Sequence, residues 1–137
     1  MMYVFDSSFA AALIIPDEKN PRVDKIHANI GENEEIWVPQ LLWYEMANIF
    51  QNLLRRKRYT LDEVIRFFPL LAAVRLTCDF ESGHTYSEKL LRICNELNLS
   101  SYDAAYLELA ERKKAVLCTL DAGLQKASKK RGVTVLR

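Results

Sequence analysis

The amino-acid sequence predicts an α/β fold: a central, mostly parallel sheet of four or five strands flanked by helices. Short apolar runs of β type alternate with helical stretches along nearly the whole chain. The run Ala-Val-Leu-Cys-Thr at 115–119 is continuously apolar, as expected of a strand buried on both faces. Helix-opening residues follow closely on two of the strand ends, at Asp6 and at Asp121.

Taken in order, residues 3–5 form a first strand that stops at Asp6-Ser7-Ser8, a helix-opening sequence. A short apolar helix over 9–15 closes before Pro16, and a weaker one over 22–30 ends at Gly31. Residues 36–38 are the second strand, ended by Pro39. Leu42, Met46, Ile49, Phe50 and Leu53 recur at helical spacing, which predicts a long amphipathic helix over 40–57. Thr60-Leu61-Asp62-Glu63 has the form of a capping box and opens a helix to about residue 73. A third strand is expected over 74–78, then helices over 85–97 and 100–114, the latter opened by Ser100 with Asp103. The apolar strand at 115–119 leads to a helix over 122–130 with Gly132 as its C-cap, and residues 133–136 form the last strand.

The 137 residues suit one domain, expected to span 1–137, and half of them are hydrophobic, enough for one core. A net charge of +1 argues against a strongly basic coat, although a local patch could still meet nucleic acid. No apolar stretch reaches the roughly 18–20 residues of a membrane helix. Cys78, Cys94 and Cys118 lie too far apart for a paired metal or redox motif and sit in apolar runs, so they are expected to be small buried hydrophobes. With no secretory leader in view, the expected location is the cytoplasm. His27 and His84 neighbour no nucleophile with an orienting partner, which removes most triad chemistries. An enzyme of this sequence must work with carboxylates.

Four acids stand at telling places. In an open parallel sheet, ligands bind beyond the carboxyl ends of the strands. Asp6 ends the first strand, and Asp121 follows the 115–119 strand by two residues. Glu45 lies on the border of the apolar stripe of its helix, and Asp103 opens another helix. Each has a structural reading: Asp6 and Asp121 as helix caps, Asp103 as part of a capping box, Glu45 as an ion-pair partner. If they converge, their mutual repulsion calls for cations or partial protonation, and hard divalent ions, Mg²⁺ or Mn²⁺, suit oxygen ligands. Such a site could cut a phosphodiester without a histidine.

These segments resemble the motifs of the PIN-domain family. Val4-Phe5-Asp6-Ser7-Ser8 is similar to its opening, and Tyr44-Glu45-Met46-Ala47-Asn48 to its second motif. Leu99-Ser100-Ser101-Tyr102-Asp103-Ala104-Ala105-Tyr106 resembles the third, and Cys118-Thr119-Leu120-Asp121-Ala122-Gly123-Leu124 the fourth. The resemblance runs in family order over 3–135, while 64–85 carries no motif. It implies a PIN-like three-layer sandwich and an Mg²⁺- or Mn²⁺-dependent endoribonuclease, the VapC-type toxin of a type II toxin–antitoxin pair. It further implies a homodimer, silenced by a small antitoxin protein. Asp6, Glu45, Asp103 and Asp121 are then the metal ligands and catalytic groups, with Thr119 and Ser7 holding carboxylates in place.

Lys126, Lys129, Lys130 and Arg131 follow the fourth motif within one helix and are expected to track RNA phosphates. Arg55-Arg56-Lys57-Arg58 fits equally a solvated helix end. Trp43, Phe50, Phe67 and Phe68 exceed what one sheet face needs, and the surplus would mark an antitoxin or dimer interface. Three rivals remain: a PIN ribonuclease of RNA maturation or turnover without an antitoxin, a binding-only relative, and a receiver-like signalling domain. The binding-only reading expects lost acids, and none is lost. The receiver needs an acidic pair after its first strand, where this chain has Asp6 alone.

Overall fold

The computed structural model describes residues 1–136. Five strands pair in the order β3-β2-β1-β4-β5, and every pairing is parallel. They are β1 (Met2–Phe5), β2 (Glu35–Pro39), β3 (Leu76–Asp79), β4 (Val116–Cys118) and β5 (Val135–Leu136). Successive side chains of a strand point to opposite faces, so the full burial of both Val4 and Phe5 means that each face of β1 is covered. Phe5 packs on Phe9 of α1 (Ser7–Ile14), ring centroids 4.6 Å apart. Helix α7 (Ser101–Lys113) contacts β1, β2 and β4, and its residues from Ala104 to Ala110 are all buried, as in a helix enclosed on every side.

The remaining helices are α2 (Pro21–Ala28), α3 (Leu41–Arg55), α4 (Leu61–Ile65), α5 (Phe67–Ala73), α6 (His84–Leu97) and α8 (Ala122–Lys130). The expected helix over 60–73 is two helices, broken at Arg66. The cause is Pro69, which has no N–H for the carbonyl of Ile65 and whose ring would clash with it. Thr60 and Glu63 do form the capping box at the start of α4, at 3.1 and 3.2 Å. A 3₁₀ turn over Pro16–Glu18, absent from the sequence reading, follows α1. Among the cysteines only Cys118 is buried; Cys78, on the edge strand β3, and Cys94, on α6, are half-buried, contrary to expectation. Among the described residues no helix is long and apolar enough to cross a membrane.

The strand order reverses between β1 and β4: from β1 the chain goes to β2 on one side and later returns to β4 on the other. Such a switch point leaves a crevice at the carboxyl ends of the two strands, since their following helices depart in different directions. Asp6 leaves β1 there, and Thr119 leaves β4 beside it. The Asp6 N–H donates to the Cys118 carbonyl at 3.2 Å, tying the two strand ends together.

Candidate active site

Asp6 caps α1: its Oδ1 accepts from the Phe9 N–H at 2.9 Å and from the Ser8 hydroxyl at 2.7 Å. Its Oδ2 accepts a short hydrogen bond from the Thr119 hydroxyl. The carboxyl is 4% exposed, and burial pushes it up to about 6 despite these three donors, with the charge of Asp103 adding to the rise. Thr119 is wholly buried, and its Oγ1 also accepts the Asp121 N–H at 3.0 Å. One hydroxyl therefore joins the first motif to the fourth.

Asp121 caps α8, with Oδ1 accepting the Leu124 N–H at 2.7 Å. Gly123 leaves room for this cap, because a Cβ there would stand 3.3 Å from Asp121 Oδ1. On the other side of the crevice, Asn98 ends α6 in the left-handed conformation, and Ser100 opens α7 by accepting the Asp103 N–H at 3.1 Å. That tight connection sets Asp103 in the first turn of α7. Its carboxyl is half-buried and is raised by burial first and then by the charges of Asp121 and Glu45. Glu45, on α3, accepts the Tyr106 hydroxyl at 2.5 Å.

The four acids of the sequence reading are thus electrostatic neighbours at the carboxyl end of the sheet, gathered from β1, α3, α7 and the start of α8. Asp6 and Asp121 double as helix caps, so their structural reading holds alongside the convergence, while Asp103 lies in the first turn of α7 without completing a capping box. All donors are carboxylate oxygens, and neighbouring negative charge adds to the rise of Asp6 and of Asp103, which is the chemistry a hard cation relieves. Among the described residues, no three His, Cys, Asp or Glu side chains form a ready-made ligand cluster. The arrangement fits Mg²⁺ in one respect: that ion keeps several waters and needs only one or two carboxylates directly.

Thr119 lies where the sequence reading placed it. The hydrogen bond expected from Ser7 to Asp6 comes instead from Ser8, whose hydroxyl also accepts the Leu120 N–H at 3.0 Å. Ser8 and Tyr106 are the residues missed. The spacing held a signal for the second, since Tyr106 lies one turn beyond Asp103 on the same face of α7. Lys126, Lys129 and Lys130 are exposed, the latter two in the last turn of α8, about 12 Å along the axis from its Asp121 cap. The structure does not bring Arg131 to the acids. Its guanidinium pairs with Glu96 at 2.8 Å and Glu111 at 3.0 Å, at the opposite end of α8. Beyond Glu45 the crevice opens into a groove of about 430 Å³ lined by Leu41, Tyr44, Glu45, Asn48 and Tyr102.

Comparison with known proteins agrees with this fold. The chain is 30% identical over 134 residues to Ribonuclease VapC3 of Pyrobaculum aerophilum, covering 90% of this chain and 92% of that protein. The crystal structure of PAE2754 from the same organism superposes with a TM-score of 0.71 at 26% identity, over 98% of this chain and 92% of that one. VapBC2 from Rickettsia felis, solved bound to a DNA fragment from its promoter, shares the fold with a TM-score of 0.72 at 11% identity, over 98% and 97% of the two chains. The PIN domain family matches residues 3–130, and the chain belongs to that family.

Proposed function

We propose that this protein is an endoribonuclease dependent on Mg²⁺ or Mn²⁺, the toxin of a type II toxin–antitoxin pair. The observation that carries the reading is the gathering of Asp6, Glu45, Asp103 and Asp121 at the switch point of the sheet, with Asp103 feeling the charges of Asp121 and Glu45, and Asp6 that of Asp103. Similarity to Ribonuclease VapC3 supports the reaction class, and the fold shared with VapBC complexes supports a small antitoxin as partner.

In this reading Asp6, Asp103 and Asp121 hold the cation, directly or through water, and Glu45 holds it or orients the attacking water. When bound, the ion polarises a phosphate oxygen and makes water a better nucleophile at neutral pH. Thr119 and Ser8 keep the Asp6 carboxylate from rotating, so its oxygens stay fixed while charge develops. Tyr44 and Tyr102, 77% and 60% exposed on the groove beside Glu45, offer faces on which unpaired bases stack. Exposed lysines of α8 supply phosphate contacts.

The test uses the protein freed of any partner. Cleavage of RNA is expected with Mg²⁺ or Mn²⁺ and none in chelator, and Asp103→Asn should lower turnover by about 100-fold or more. Metal-independent cleavage, or an Asp103→Asn variant as active as the wild type, refutes the assignment.

A further inference from the structure

We propose that Tyr106 is a positioning residue that holds Glu45 in the carboxylate crevice through its phenolic hydroxyl. The inference rests on the nuclease reading and goes beyond its four acids. Tyr106 stands three residues after Asp103, on the same face of α7, and its side chain is 1% exposed. Its hydroxyl donates to Glu45 Oε1 at 2.5 Å, across 61 residues of sequence. One phenol therefore joins the helix that carries Asp103 to the helix that carries Glu45.

Two features favour positioning over a simple packing role. A core of this fold needs only the ring; a buried hydroxyl is costly unless it finds an acceptor, and here the acceptor is an acid lining the crevice. Glu45 is half-buried on α3, and a glutamate there can take several rotamers. The Tyr106 ring has two side-chain torsions, both locked by surrounding packing. The bond transfers that rigidity to Oε1 of Glu45 and leaves Oε2 available to the groove. The charged acceptor makes it one of the stronger hydrogen bonds of the site.

The experiment is a double-mutant cycle on the full chain, with Tyr106→Phe, Glu45→Ala and both together. It reads Mn²⁺ affinity by calorimetry, kcat and KM for RNA cleavage, and the thermal melt. Tyr106→Phe keeps the ring, so its melt should stay close to that of the wild type. Mn²⁺ affinity and kcat should each fall by about 10–100-fold, with KM little changed, as for other groups that orient ligands. In the Glu45→Ala background the same change should do nothing more. Additive effects on Mn²⁺ affinity and kcat, or a Tyr106→Phe variant indistinguishable from the wild type, overturn the proposal. Coupled Mn²⁺ affinities in a wild type that cleaves no RNA would sustain the positioning role and refute the nuclease reading. A wild type that neither binds Mn²⁺ nor cleaves RNA overturns both.

Discussion

At the scale of the residue, Asp6 carries a conflict between two duties. It caps α1 with an oxygen that any Asp or Asn could supply, yet it is buried as an acid among other acids. Burial raises its carboxyl from 3.8 to about 6, so the folded state binds this proton more tightly than the unfolded chain does. The stability linked to the proton is fully present below pH 3.8 and is lost as pH rises through about 6. Asp6→Asn keeps an oxygen for the Phe9 N–H and removes the charge. In chelator, the melting temperature of the variant relative to wild type should therefore rise between about pH 4 and about pH 7. Adding Mn²⁺ at neutral pH should raise the wild-type melt and leave that of the variant unmoved. Thermal melts across this range check both; a difference that stays flat with pH refutes the account of Asp6. Among single residues, Asp6, Asp103 and Asp121 were legible in the sequence because strand ends and helix starts are local signals. Ser8 was not, because which of two adjacent serines bonds Asp6 depends on side-chain direction in the first turn of α1.

At the scale of the element, α8 separates two kinds of basic residue that the sequence places side by side. Lys126, Lys129 and Lys130 are exposed, whereas the Arg131 guanidinium joins Glu111 of α7 and Glu96 of α6. Replacing the three lysines together by Gln should weaken RNA binding and reduce the slope of log affinity against log salt by about 2, at about 0.7 per phosphate contact on a single strand. Arg131→Gln should lower the thermal melt and leave that slope unchanged. Binding titrations at several salt concentrations decide it; an unchanged slope in the triple variant removes α8 from the RNA path. The same contrast explains a failure at 60–73. Capping residues named the start of α4 correctly, but periodicity carried the helix across Pro69, where the backbone could not continue.

At the scale of the whole molecule, α4 and α5 present Leu61, Ile65, Phe68 and Leu70 to solvent, 41–60% exposed, while Phe50 and Phe67 fill the core. The sequence-level surplus of aromatic residues thus divides: Phe50 and Phe67 are needed inside, Trp43 and Phe68 are left on the outside. Phe68 stays anchored edge-on to Phe50, centroids 5.1 Å apart. An apolar face of this kind fits a second copy of the chain or an antitoxin. Ile65→Glu with Leu70→Glu should shift the purified protein toward monomer and cost the monomer little stability, about 0.5 kcal/mol or less per site, because both positions are exposed. Light scattering over a range of concentrations, with melts alongside, checks it. A wild type that is monomeric throughout rules this face out as a self-association surface.

The alternation of apolar strands and capped helices, readable residue by residue, was enough to determine a parallel α/β fold and to put three of the four acids at strand ends or helix starts, because those features depend on neighbours within a few positions. Tertiary structure alone decided that the strand order reverses between β1 and β4, that the Thr119 hydroxyl bridges Asp6 and Asp121, and that the Tyr106 phenol reaches Glu45. Those bonds span up to 113 positions, and pairing over such distances is set by how helices and sheet pack, which no local pattern encodes.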